Sequence, residues 1–282
     1  MEEQLLNLIR LEQKLRDFMD EDLSYGDLSS AIFDNNTTGT MQLIAKEDGY
    51  FCGEDVILRG FNILDKCDVV CFKHDGDTLH KGEVIAKISG KVKHLLQAER
   101  TVLNMIQRMS GITTETKRYI EKIAHTSAQV TDTRKTTPGL GMFEKYAVRI
   151  AGASNHRRNL NDGIMLKDNH IAFMGSIEAA MQSANALRGH MDKIEIEIED
   201  EEMLKAAIKA QADIIMFDNC TPEFIKAHIH LVPDHIITEA SGGINIDTIK
   251  AYAEAGVDYI SVGKLFHGAN ALDISGKVDI ND

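Results

Sequence analysis

Seven cationic side chains crowd into one short stretch of the chain: Arg134, Lys135, Lys145, Arg149, Arg157, Arg158 and Lys167. They sit within Thr133-Arg134-Lys135-Thr136-Thr137-Pro138-Gly139, His156-Arg157-Arg158 and Lys167-Asp168-Asn169-His170, or between these runs. Yet the chain as a whole is acidic, with a formal net charge of -13. Cations concentrated at one place in an acidic protein are suited to holding a small, multiply charged anion. A nucleic acid would call for a basic surface instead, so it is not an expected partner.

Carboxylates form a second group. Glu195, Glu197 and Glu199 alternate with isoleucines and so share one face of a strand. A parallel strand is ordinarily buried and apolar on both faces, so these acids need partners, which the basic cluster could supply. Glu195 and Glu199 fit an internal ion-pair network equally well. Glu197, with Asp218 on the next strand, could bind ribose hydroxyls or Mg²⁺, directly or through water. Two late runs are rich in glycine, Glu239-Ala240-Ser241-Gly242-Gly243-Ile244 and Ser261-Val262-Gly263-Lys264. Each glycine alone could simply make a tight turn. Together, on consecutive strands, they present bare amides suited to a phosphate. His228, His230 and His235 lack metal-ligand spacing and read as solvated. His156 differs because it stands beside Arg157, and His267 because it follows the Gly263 loop.

The elements that must position these groups follow from hydrophobic rhythm. Residues 2–20 read as a helix, with Leu5, Leu8, Ile9, Leu15 and Met19 near one face. MQLIAK and VVCFK read as strands around a helix in EDVILRGFNILDK. Val69–Gly90 has a rhythm similar to half of a biotinyl or lipoyl carrier, but Lys91 lacks the flanks of a carrier tip. Residues 93–125 read as helical, in two pieces broken near Ser110-Gly111. Six β-branched runs follow: AQVTDT, GIMLK, KIEIEI, ADIIMF, HIITE and DYISV. Helical segments separate most of them, which implies parallel strands. Polar residues end successive strands, so a (β/α) barrel is favoured over an open doubly wound sheet.

The expected fold class is therefore α/β, with an N-terminal α/β sandwich-like domain over 1–103 and a barrel over 104–268. Residues 269–282 are expected to return to the first domain. The N-terminus lacks the basic and apolar regions of a signal peptide, and no apolar run reaches membrane length. Cys52, Cys67, Cys71 and Cys220 make neither a disulfide framework nor a CxxC site. A cytoplasmic protein is expected.

At these residues the chain resembles the quinolinate phosphoribosyltransferase family. The resemblance is carried by ERTVLNMIQRMSGITT (99–114), DTRKTTPGL (132–140), EKYAVR (144–149), NHR (155–157) and IMLKDNHI (164–171). It continues through IEIEIED (194–200), FDN (217–219), EASGGI (239–244) and DYISVGKLFHGANALDIS (258–275). It implies that quinolinate and phosphoribosyl pyrophosphate, with Mg²⁺, give nicotinate mononucleotide, pyrophosphate and CO₂. By resemblance Arg134, His156, Arg157 and Lys167 meet quinolinate, with Thr133 in the same run, and Arg100 reaches it from a neighbouring subunit. Lys135 meets pyrophosphate, and Ser241, Gly242, Gly243, Val262, Gly263, Lys264 and His267 form the phosphate end. Lys135, Glu197 and Asp218 are the expected catalytic residues, the last two holding ribose hydroxyls and Mg²⁺. No covalent nucleophile is evident. A homodimer or hexamer is implied. Gly141 replaces an arginine common in the family, and Lys264 replaces a small residue. The rivals are a same-fold paralogue, a nicotinate phosphoribosyltransferase-like enzyme acting on a monocarboxylate, and a catalytically silent phosphosugar-binding protein.

Overall fold

A computed structural model describes residues 6–278. In chain order the strands are β1 (Thr38–Ala45), β2 (Gly49–Tyr50), β3 (Asp68–Cys71), β4 (Thr78–Leu79), β5 (Val84–Lys91) and β6 (Gln129–Thr131). They continue with β7 (Ile164–Leu166), β8 (Ile194–Ile198), β9 (Ile214–Asp218), β10 (Ile237–Ser241), β11 (Tyr259–Ser261) and β12 (Ile274–Val278). The chain divides into two compact units. One takes residues up to 115, 142–151 and from 269 onward; the other takes 116–141 and 152–268.

The first unit holds an antiparallel sheet of order β12-β1-β5-β3. In it β1 pairs on one side with β5 and on the other with the returning β12, Ala45 facing Ile274. Residues 279 and 280 of the strand-like run expected there lie outside the described residues, as do residues 2–5 of the expected first helix. That helix, α1 (Leu8–Leu23), buries Leu11, Leu15 and Met19, which recur every four residues, and Asn7 caps it by accepting from the Arg10 amide. Next come α2 (Glu54–Gly60) and α3 (Val92–Ile123).

The break expected near Ser110-Gly111 is absent: α3 runs unbroken through 32 residues. Ser110 Oγ is fully used, accepting from the Cys52 amide at 3.0 Å and donating to the Cys52 carbonyl at 3.3 Å. Gly111 is small because the returning chain passes against it. A Cβ there would fall 1.9 Å from the Asn270 carbonyl oxygen.

The second unit is built on six parallel strands of order β6-β11-β10-β9-β8-β7. The runs that carried the β-branched signal all became these strands. A single parallel bridge from Thr131 to Ser154 adds a seventh position beyond β6. The sheet is rolled. Along the order, β8 lies four places from β6, about 19 Å in a flat sheet. Yet His156, just past the Ser154 bridge, brings Nε2 to 3.1 Å from Glu195 Oε2 on β8. Among the described residues no ladder joins the Ser154 segment to β7, so the barrel is open along that seam. Ile194, Ile196 and Ile198 are fully buried on one face of β8, leaving the glutamates to the interior. The helices between these strands are α5 (Asp168–Met174), α6 (Ile177–Leu187), α7 (Glu201–Lys209), α8 (Pro222–His228), α9 (Ile249–Ala253) and α10 (Lys264–His267), with α4 (Gly141–Ile150) before them in the chain. No helix among the described residues is long and apolar enough to cross a membrane.

Gly111→Ala tests the close approach at α3. An ordinary helical glycine gains about 1 kcal/mol of stability on becoming alanine. Here overpacking against the backbone should instead cost about 2 kcal/mol, read as a lower midpoint in urea denaturation. A midpoint equal to or above that of the unaltered protein would contradict the packing.

Candidate active site

The barrel strands deliver their polar ends to one cavity of ≈ 660 Å³. Thr133, Arg134 and Lys135 enter it after β6, His156 and Arg157 after the Ser154 bridge, and Lys167 after β7. Glu197 comes from β8, Asp218 from β9, and Ser241, Gly242 and Gly243 from the end of β10. Gly263, Lys264 and His267 close the far side. Other residues of the sequence reading lie elsewhere. Val262 is buried, and its amide donates to the Thr131 carbonyl at 3.0 Å, so it is not available to a phosphate. Arg100 is exposed on α3 in the first unit. Lys145 and Arg149 sit on α4, grouped with the first unit, and Arg158 is exposed and paired with Asp162 at 3.1 Å.

The lining also includes Met165, Met216, Asp168, Asn219, Ile244 and Ser261, whose residue types and spacing give no functional signal in the sequence. Met165 pairs in register with Glu195, and Met216 with Glu197. The methionines thus share the glutamates' interior face, a parity that becomes visible only once the register is known.

Arg157 is a partly buried cation. Its Nη1 donates to the Gly163 carbonyl at 3.1 Å, while its Nε is buried without a hydrogen-bond partner. Burial, and then the neighbouring charge of Arg134, hold its guanidinium below the ordinary arginine range. Two guanidinium groups so placed favour an anion between them. Lys167 forms a close ion pair with Glu197 Oε1, and its amide donates to His170 Nδ1 at 3.0 Å. Burial raises the Glu197 carboxyl above its ordinary value; Lys167 opposes this, and the charges of Asp218 and Glu195 add to it.

His156 is placed differently from the sequence expectation. Its Nδ1 accepts the Arg157 amide hydrogen at 2.8 Å, so the single proton of the neutral ring resides on Nε2. That Nε2 lies 3.1 Å from Glu195 Oε2. The ring thus holds the Arg157 backbone in place while itself lining the cavity. Asp132, fully buried, fixes the same segment by accepting from the His156 amide at 2.8 Å and from Asn155 Nδ2 at 2.6 Å.

At the opposite side Gly242 has φ +96°, and a Cβ on it would fall 2.3 Å from Asn219 Oδ1, so glycine is required. Asn219 in turn donates from Nδ2 to Asp218 Oδ2 at 2.8 Å. Lys135 and His267 meet over Gly263: a Cβ there would stand 3.7 Å from Lys135 Nζ and 3.6 Å from His267 Nε2. Lys264 lines the cavity and adds a cation to this end. At Gly141 a side chain would begin 3.3 Å from Thr136 Oγ1. One side thus carries Arg134, Arg157 and Lys167, the other bare glycine amides with Lys135 and Lys264, and Glu197 and Asp218 come from the strands between them.

Known proteins resemble this chain along nearly its whole length. Residues 112–277 match the model for "Quinolinate phosphoribosyl transferase, C-terminal domain", and residues 27–110 match that for the N-terminal domain of the same family. The chain is 47% identical over 278 residues to a protein of Bacillus subtilis (strain 168) named "Probable nicotinate-nucleotide pyrophosphorylase [carboxylating]", covering 98% of this chain and 96% of the relative. A crystal structure of NadC from Streptococcus pyogenes superposes with a TM-score of 0.92 at 40% identity, covering 96% of this chain and 97% of that one. A crystal structure of a NadC deletion mutant gives a TM-score of 0.95 at 40% identity, covering 98% and 99%.

Proposed function

We propose a division of labour within this pocket from the premise that the chain belongs to the quinolinate phosphoribosyltransferase family. It transfers the phosphoribosyl group of phosphoribosyl pyrophosphate to quinolinate with loss of CO₂, giving nicotinate mononucleotide and pyrophosphate in NAD biosynthesis. The observation that carries the site assignment is the pairing of Arg134 with a partly buried Arg157 whose Nε lacks a partner. Quinolinate bears two adjacent carboxylates, and planar guanidinium forks match them. Lys167 adds a third cation while its pairing with Glu197 holds it in place. A nicotinate-type monocarboxylate would leave part of this charge unmatched.

The sugar phosphate fits the glycine wall. Ser241, Gly242, Gly243 and Gly263 offer the 5′-phosphate a close approach, with Lys264 and His267 beside them. Lys135, lying over Gly263, is placed for the pyrophosphate. Glu197 and Asp218 face the ribose between the two ends, where their negative charge stabilises an oxocarbenium-like transition state as the pyridine nitrogen attacks. The same carboxylates suit a hydrated Mg²⁺: burial raises Glu197, the charges of Asp218 and Glu195 add to this, and a divalent cation would offset it. When bound, the ion supplies charge neutralisation to the departing pyrophosphate. The protein positions both reactants and balances their charge, and the positive nitrogen of the pyridinium formed by the transfer stabilises the electron pair that CO₂ leaves on the adjacent carbon.

The reaction is tested by release of labelled CO₂ from quinolinate, which should require phosphoribosyl pyrophosphate. Arg157→Ala should weaken quinolinate binding by roughly 30- to 150-fold, or about 2–3 kcal/mol, with little change for phosphoribosyl pyrophosphate. Arg157→Lys should restore only part, because an ammonium cannot reproduce the fork. Equal losses for both ligands in calorimetry would contradict the assignment of the two ends.

We take the enzyme to be a cytoplasmic homodimer or hexamer in which Arg100 completes the pocket of a neighbouring subunit. Hybrids of Arg100→Ala and Lys135→Ala chains should then regain activity that neither variant shows alone. No recovery after confirmed subunit exchange would contradict a shared pocket.

A further inference from the structure

Beneath the cations, the barrel interior holds a cluster to which the reaction as described gives no task. Glu195 on β8 and Glu239 on β10 are each 5% exposed, and both face His156. The ring nitrogen that reaches them is Nε2, 3.1 Å from Glu195 Oε2 and 3.7 Å from Glu239 Oε1. Its one proton serves Glu195, the nearer of the two, and Glu239 Oε1 is buried with no hydrogen-bond partner. Two carboxylate charges cannot share so small a dry space, so one of the pair retains a proton. A metal ion in place of that proton would need a bare Nε2, but the Arg157 amide on Nδ1 keeps the ring proton there.

The neighbour of Glu239 on the cavity side is Ser261, at the end of β11. Its hydroxyl is buried and within reach of the Glu239 carboxyl, and the residue lines the cavity. Glu239, Ser241 and Ser261 share the interior face by strand parity, so Ser261 lies beside the buried acid and on the lining of the substrate cavity.

We propose that Glu239 is kept as a carboxylic acid and supplies, through the Ser261 hydroxyl, the proton that replaces CO₂ on the pyridine ring. This rests on the phosphoribosyl transfer and decarboxylation assigned above. When the bond between ring carbon 2 and its carboxylate breaks, the bonding pair stays on that carbon beside the cationic ring nitrogen, and CO₂ leaves as a neutral molecule. A C–H bond forms with the Ser261 proton, Ser261 Oγ takes the proton of Glu239, and Glu239 is left as a carboxylate. A solvent proton restores it after the product leaves.

The groups facing Glu239 are Glu195 on β8, His156 and Asp132 beside the Ser154 bridge, and the Ser261 hydroxyl. Burial above all, then the charge of Glu195, push the Glu239 carboxyl up to about 8. The acid is therefore protonated at neutral pH, and the proton store should empty as pH rises past that value.

The test uses the full chain with Glu239→Gln, which keeps the side chain's size but has no acidic proton. The rate kcat for labelled CO₂ release should fall about 100-fold or more, while KM for both substrates stays close to that of the unaltered enzyme. The alkaline fall of kcat near pH 8 should also disappear. Ser261→Ala removes only the relaying hydroxyl, so it decides the matter if the glutamine variant does not fold; it should lower kcat with KM preserved. Soluble variants with unaltered kcat and an unchanged alkaline limb would overturn the proton path while leaving the reaction assignment intact. An unaltered enzyme that releases no CO₂ would overturn the reaction assignment, and with it the destination of the proton.

Discussion

Two guanidinium groups held together in a partly buried pocket repel each other, and the arrangement of the second unit answers that repulsion. Arg157 loses solvent, gains Arg134 as a neighbour, and is left with Nε unpaired. The sheet must roll far enough to bring β8 carboxylates under these cations, since a flat sheet would leave them about 19 Å away. Glu195 and Glu197 lessen the repulsion, and the Gly163 carbonyl takes one guanidinium hydrogen. None of these partners closes the fork. A ligand with two adjacent negative charges does.

Depth organises the rest. Along β8 and its continuation, Glu195 is buried, Glu197 is half-buried and Glu199 is exposed, so one strand face runs from the dry floor to the open mouth. The isoleucines between them take the opposite face and supply the apolar burial a parallel strand requires. Charge is handled at the mouth, where solvent and ligands can reach it. At the floor, burial makes a second charge costly and favours a retained proton. Met165 and Met216 line the cavity from the same interior face and add apolar surface between the polar groups.

Much of this was legible in the residues themselves. The β-branched runs became the parallel strands, and Lys167, Glu197 and Asp218 stand at strand ends because polar residues there interrupt apolar rhythm. What stayed hidden depends on pairings that sequence spacing does not encode. Gly111 read as a helix breaker, yet it is small because Asn270 passes against it from far along the chain. The seventh barrel position rests on a single bridge at Ser154, in a segment with no β-branched run to announce it. His156 read as a ligand to the acid and does line the cavity, but its hydrogen bonds to the Arg157 amide and Glu195 exist only after folding. Val262 stood beside a phosphate glycine, yet Thr131 occupies its amide. Glu239 drew no notice beside the glycines, and only burial gives it significance.

The claim that paired cations select a dicarboxylate is tested most directly by calorimetric titration of the ligand-free protein with quinolinate and, separately, with nicotinate. The second carboxylate should strengthen binding by about 2 kcal/mol or more, so quinolinate should bind at least roughly 30-fold more tightly. Equal affinities would mean that Arg134 and Arg157 do not read the second carboxylate, and the assignment of the pocket would fail.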